Sequence, residues 1–365
     1  MSLEAIDAAC LAGSKEKLFP GAALLVGKGQ EALVEKYYGH FTYETNSLSV
    51  TASSYFDIAS LTKAIATTCL FMLASQEGRL DLNQPARNFF PTLTPAHNYS
   101  ITQLLNHTSG LRDWLPLYQQ THRLKKGKLT LENLILNEIQ EKGLDRAKQG
   151  SHVYSDLNFI LLGFILEKIY EKKLDVLFQE KVAGPLNIKD MFYLPLIDAP
   201  SGAKMIPVDR NDTSSFVPTE FCTWRNRTIQ GEVHDENTYF MRGVAGHAGL
   251  FATLRAVGQW VQEMLKAHLG NSSWLKKSTF EIFVPQAQPY FLGFDRPNAA
   301  SLAGKYFSKN SIGHLAFTGC SFWLDLEDQK SIVLLTNRTY PKRYDKTVFN
   351  QFRIKIHNLI CEELF

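Results

Sequence analysis

The sequence predicts an α+β protein: one antiparallel sheet assembled from both chain ends, helices on its faces, and a mostly helical insertion between the two sets of strands. Near the start, the apolar runs Ala22–Val26 and Ala32–Tyr38 are separated by Gly27-Lys28-Gly29-Gln30, a β-hairpin signal. Near the end, Ile312–Phe317, Ser321–Leu326 and Ser331–Thr336 read as three strands, the last two joined through Leu324-Asp325-Leu326-Glu327-Asp328-Gln329. The long middle reads as helical and irregular segments (Ile101–Leu105, Leu131–Glu141, Asp156–Tyr170, Leu174–Val182, Val257–Leu265), so the terminal strands have chiefly one another to pair with.

In chain order, Leu3–Lys17 is an opening helix stopped by Phe19-Pro20-Gly21. After the hairpin, the extended run Tyr55–Ala59 gives way to a helix from Ser60 to about Ser75. Residues 196–240 show little periodicity and read as loops, a length that is more often functional than idle. The three glycines of Gly243–Phe251 point to close backbone packing, a structural role. The closing helix, about Asp345 to Cys361, lines up Val348, Phe349, Phe352, Ile356, Leu359 and Ile360 at a helical period. At 365 residues, this order divides into a sheet domain of residues 1–78 and 250–365 and an insertion of residues 79–249. A cleft runs between them, with Ser60 at its floor.

Composition excludes several classes. With 45% hydrophobic and 21% charged residues the chain can bury a sizeable core. A net charge of +3 without any block of like charge gives no reason to invoke nucleic acid or a membrane surface. The most apolar stretch, Leu157–Ile169, is interrupted by Asn158 and Glu167-Lys168 and falls short of the ~20 apolar residues of a membrane span. Five scattered cysteines (Cys10, Cys69, Cys222, Cys320, Cys361) form neither a disulfide framework nor a zinc pattern. With no signal peptide visible at the start, they suggest reduced thiols in a cytoplasmic protein. No metal or cofactor is expected.

The chemistry centres on Ser60-Leu61-Thr62-Lys63. Residues three apart share a helix face with Cβ atoms roughly 5–6 Å apart, so the Lys63 amine reaches the Ser60 hydroxyl. The first helical turn adds free N–H groups and the positive end of the dipole. Alone, this pattern is common and is usually a capping serine and a solvated lysine. Three later segments can complete an acyl-transfer site, which needs a base, an oxyanion hole and a proton donor for the leaving atom. They are His152-Val153-Tyr154-Ser155-Asp156 ahead of an apolar helix, the strand Gly313-His314-Leu315-Ala316-Phe317-Thr318-Gly319, and Gly243–Phe251.

This ordered set resembles the serine β-lactamase and penicillin-binding-protein superfamily. Further phrases that carry the resemblance are Leu104-Leu105-Asn106-His107-Thr108-Ser109-Gly110-Leu111, Asp156–Gly163 and Gly243–Phe251. Gly231-Glu232-Val233-His234-Asp235-Glu236-Asn237 is similar to a branch of stand-alone, class-C-like hydrolases that includes low-molecular-weight penicillin-binding proteins and N-acetylmuramoyl-L-alanine amidases. The resemblance spans roughly residues 15–340 and implies a β-lactamase/transpeptidase-like fold. It implies that Ser60 is the nucleophile, with Lys63 as a neutral proton acceptor favoured by burial. Tyr154 would be general base and later acid, and the N–H groups of Ser60 and Phe317 the oxyanion hole. Asp156, His314 and Ala316 would meet the substrate, a cell-wall-derived peptide or muropeptide, with β-lactams as weak ligands.

Two departures stand out. Tyr-Ser-Asp replaces the usual Tyr-x-Asn, and the charge of Asp156 favours a protonated Lys63. The third motif reads His314-Leu315-Ala316, which lacks the hydroxyl that would hold a substrate carboxylate. Rival readings are a non-catalytic penicillin-binding-like module, and a general carboxylesterase or weak β-lactamase. A metal hydrolase built on His234-Asp235-Glu236 is weaker, since that run fits a turn or cap and no HExxH motif is present.

Overall fold

A computed structural model describes residues 3–120, 130–198, 205–207, 212–298 and 301–365 of the 365. Its main sheet has five strands in the spatial order Ser311–Leu315, Ser321–Asp325, Lys330–Thr336, Gly21–Lys28, Glu31–Gly39, all neighbours antiparallel. The chain ends meet where Gly21–Lys28 pairs with Lys330–Thr336, in the register Leu24 opposite Leu334. The expected strand through Phe317 ends instead at Leu315. The Ala316 N–H turns onto Cys320 O (2.8 Å) and the chain reverses at Gly319, φ 101°.

The central strands are buried on both faces, which is why they read as continuous apolar runs rather than alternating ones. Ala22, Leu24, Val26, Ile332 and Leu334 pack with Phe19, Phe349, Phe352 and Ile356 beneath the terminal helices Glu4–Lys15 and Thr347–Leu364. Ala23, Leu25, Val333 and Leu335 face the other way, into the larger core shared with the helix Leu254–Leu269 and the middle of the chain. Gly258 lets that helix approach the sheet: a Cβ there would meet Leu25 at 2.6 Å.

In the middle, the helices Ile101–Leu105, Leu131–Glu138, Asp156–Tyr170 and Leu174–Phe178 form where periodicity places them, two of them running on into π-helical turns. Asp156–Tyr170 is buried from Leu157 to Leu166, so it is apolar on every side yet short of a membrane span. No helix among the described residues is long and apolar enough to cross a membrane. Residues 196–240, expected as loops, contain two short ribbons, Leu196–Asp198 with Met205–Pro207 and Phe221–Cys222 with Arg227–Thr228, and the helix Glu236–Phe240. Part of that region, 199–204 and 208–211, lies outside the described residues. All five cysteines are free and buried.

Candidate active site

The strand Phe56–Asp57 pairs with Leu250–Ala252 and delivers the chain to Ser60. Asp57 shapes the turn between that strand and the serine. Its carboxylate is buried and accepts from Ala59 N–H (2.9 Å) and from His234 N–H (2.7 Å). The first contact holds Ala59 at φ 43°, a left-handed conformation strained for alanine, directly before the nucleophile candidate. Desolvation raises the Asp57 pKa, and the two N–H donors oppose it.

Ser60 therefore sits in the turn before the helix rather than inside its first turn. The helix then widens into a π-helical stretch, Lys63–Thr68, before the α-helix Cys69–Gln76. The Thr68 hydroxyl donates to Lys63 O at 2.8 Å, supporting the wider turn. The expected proximity nonetheless holds: Lys63 Nζ, fully buried, lies 3.0 Å from Ser60 Oγ.

Lys63 has further partners. It donates to the carbonyl of His247 at 3.0 Å and lies 2.7 Å from Asp156 Oδ1. Desolvation lowers its pKa, but Asp156 and then Tyr154 outweigh it, and the net shift is upward. This corrects the expectation that burial would favour a neutral amine: the resting site holds an ammonium. Tyr154 is 37% exposed, yet its hydroxyl engages both Lys63 and Ser60. Desolvation dominates there and lifts the phenol to about 12, so it is protonated at neutral pH.

The segment Gly243–Phe251 does more than pack. A Cβ on Gly246 would lie 2.1 Å from Phe159 O, so the segment touches the helix Asp156–Tyr170 backbone to backbone. That contact places the His247 carbonyl on Lys63. The His247 ring pairs with Asp235 at 3.0 Å, and Asp235 caps its helix through Thr238 N–H at 2.7 Å. Asp156, Asp235 and His247 bring ligand atoms within 4.8 Å of one another, but the Lys63 ammonium already supplies a cation beside Asp156.

The loop bearing Tyr154 is shaped by the Asn106–Gly110 phrase. His107, at φ 60°, accepts from Val153 N–H through its carbonyl (2.9 Å) and from Ser155 N–H through Nδ1 (3.1 Å). Its ring lies 4.7 Å from the Tyr154 ring. Since Nδ1 accepts a backbone N–H and burial pushes the imidazole pKa well down, His107 is neutral with its proton on Nε2. Sequence reasoning missed this residue, as it did Asp57 and His247; a histidine beside Ser-Gly turn residues was the available signal.

On the strand side, the Thr318 hydroxyl donates to Asp57 O at 3.0 Å, which pins the turn after Ala316 to the chain leading into Ser60. Among the described residues neither the Ser60 N–H nor the Phe317 N–H has a hydrogen-bond acceptor, whereas the Ala316 N–H is used by Cys320. Phe317 packs on His234, ring centroids 4.7 Å apart. His314 is buried, 5.9 Å from the Tyr154 ring, and burial lowers its pKa, so it brings a neutral imidazole.

The sequence profile of the Beta-lactamase family matches residues 6–351. An N-acetylmuramyl-L-alanine amidase of Bacillus subtilis is 30% identical over 351 residues, covering 90% of this chain and 79% of the relative. Among solved structures, the D-amino acid amidase of Ochrobactrum anthropi superposes with a TM-score of 0.71 at 17% identity, covering 98% of each chain. The class C β-lactamase of Rhodobacter sphaeroides does so with a TM-score of 0.68 at 16% identity, covering 100% of each. The chain belongs to the Beta-lactamase family and is a serine hydrolase.

Proposed function

We propose that the protein cleaves an amide or ester bond of a cell-wall-derived peptide or muropeptide through an acyl-Ser60 intermediate. The observation that carries the chemistry is a buried lysine amine 3.0 Å from the Ser60 hydroxyl, with Tyr154 engaging both. The amidase named for the Bacillus subtilis relative supports the substrate class. Five buried, unpaired thiols accord with a cytoplasmic location.

Ser60 Oγ attacks the carbonyl carbon and its proton passes to Lys63 Nζ as Nζ releases one to Asp156, 2.7 Å away, so the ammonium is preserved. The oxyanion forms against the free N–H groups of Ser60 and Phe317. Tyr154, a phenol at neutral pH, donates its proton to the leaving nitrogen or oxygen and recovers it from the Lys63–Asp156 pair. Water then repeats the sequence on the acyl-enzyme.

The test is labelling by a fluorophosphonate probe together with ester turnover. Wild type should label at one serine and Ser60→Ala should lose the label and at least a thousandfold of kcat/KM, with its melting temperature nearly unchanged. Residual activity above a tenth of wild type would place the nucleophile elsewhere.

A further inference from the structure

A cavity of about 380 Å³ lies next to two residues that the Tyr154 ring contacts, with His107, His152, Tyr290, Asp295 and His314 in its wall. Tyr154 links that wall to the nucleophile: its ring contacts both His107 and His314 while its hydroxyl reaches Ser60 and Lys63.

Asp295 is the unusual member. Its backbone is fixed, with N–H and C=O paired to Gly313 at 2.8 and 3.1 Å, as a one-residue extension of the sheet edge beside His314. Its carboxylate makes no hydrogen bond or ion pair among the described residues, yet its charge acts on both His152 and His314. His152 stacks on Tyr290 at 4.6 Å and 24°, an aromatic pair in the same wall. His314 Nδ1 lies 2.9 Å from Leu315 O. A carbonyl only accepts, so Nδ1 carries the proton and Nε2 is left as an acceptor. One anion, one neutral acceptor and aromatic faces are the complement of an ammonium group. The ligand atoms of Asp295, His152 and His314 do not converge as those of a metal site do. Arg296, also in the wall, donates Nε to Lys309 O (2.7 Å) and Nη1 to Gln288 O (2.6 Å), which turns those donors away from the cavity.

We propose that this cavity is a leaving-group subsite selective for a protonated primary amine, with Asp295 as its counter-ion. The inference rests on Ser60 as nucleophile and Tyr154 on the leaving side. It names a substrate class: amides or esters whose departing part carries an alkylammonium.

Phenylacetate esters whose leaving alcohols have two to five methylenes and end in either ammonium or methyl test it. Wild type should prefer the best ammonium ester by about tenfold in kcat/KM over its methyl counterpart, the scale of a partly solvated charge-assisted contact. Asp295→Asn should bring that ratio near one while leaving the methyl esters unaffected, Asp295→Glu should retain it, and Asp295→Arg should invert it. A ratio near one in wild type, or one that survives Asp295→Asn, overturns the proposal. Calorimetric binding of the intact esters to Ser60→Ala needs no turnover. There too the ammonium ester should bind about tenfold tighter, and equal binding overturns the subsite even if Ser60 proves not to be the nucleophile. Failure of fluorophosphonate labelling with an intact ammonium preference would reject the nucleophile alone.

Discussion

The floor of the site and its strand wall are built on opposite principles. On the floor, charge is buried and fully engaged: Lys63 touches Ser60, the His247 carbonyl and Asp156. On the wall, His314-Leu315-Ala316 offers a neutral ring, an aliphatic side chain and a methyl, and the Ala316 N–H is spent on Cys320. The floor keeps what acyl transfer needs, whereas the wall has lost the hydroxyl and the cationic head that would hold a carboxylate. Reaction chemistry and substrate recognition are therefore carried by separable parts of one site.

Breaking the floor should have the largest effect. Lys63→Ala and Tyr154→Phe should each lower kcat by roughly 10²–10⁴, the usual span for general acid–base groups. Because both act on one proton path, the double variant should lose far less than the sum of the two in free energy. Full additivity in steady-state kinetics would show that the two side chains work independently.

Asp156→Asn sharpens the comparison within the floor. Asp156 holds the Lys63 pKa up against a desolvation that lowers it, so removing its charge should let that pKa fall. The carboxylate that takes the proton in wild type is then gone and the deprotonated amine must serve as base, so the acidic limb of the kcat/KM profile should move to higher pH and kcat/KM at neutral pH should fall. An unmoved limb with a raised KM would assign Asp156 to substrate contact instead.

The wall should yield the smallest change. The protein should be a poor β-lactamase and a poor D-alanyl-D-alanine carboxypeptidase, since both substrates present a carboxylate near this strand. One missing charge-assisted hydrogen bond is worth about 1.5–3 kcal/mol, or roughly one to two orders of magnitude in affinity. Leu315→Thr with Ala316→Gly should recover about tenfold on carboxylate substrates relative to neutral esters. No relative gain, or penicillin hydrolysis by wild type above ~10⁵ M⁻¹s⁻¹ in kcat/KM, would refute this.

Legibility in the sequence depends on the range of the forces involved. Ser60 and Lys63 are three residues apart, and their contact survives even the local change from α- to π-helical winding. The sheet was legible because strands buried on two faces leave unbroken apolar runs. The π turn itself was not, since the Thr68 hydroxyl bond to the Lys63 carbonyl that accompanies it leaves no mark on the apolar periodicity. Nor were Asp57 and His247, whose positions are set by partners far along the chain, or Asp295: Asp57 is 177 residues from His234, and Lys63 is 184 from His247. An acidic residue inside the apolar run Phe56–Ala59 hinted at the first. Asp295 left no local trace, since its backbone is fixed by the sheet edge and its carboxylate makes no hydrogen bond or ion pair among the described residues.

The burial of all five cysteines has a consequence for how the enzyme meets reactive molecules. Desolvation lifts Cys10 and Cys69 to about 12 and Cys320 and Cys361 to about 11, so at neutral pH almost none of these four sulfurs is thiolate. Peroxides and alkylating agents attack the thiolate form at accessible positions. The folded protein therefore offers them little, while its serine remains open to acylating agents. Catalysis is thereby uncoupled from the oxidation state of the surroundings, and oxidants reach these sulfurs chiefly through opening of the fold.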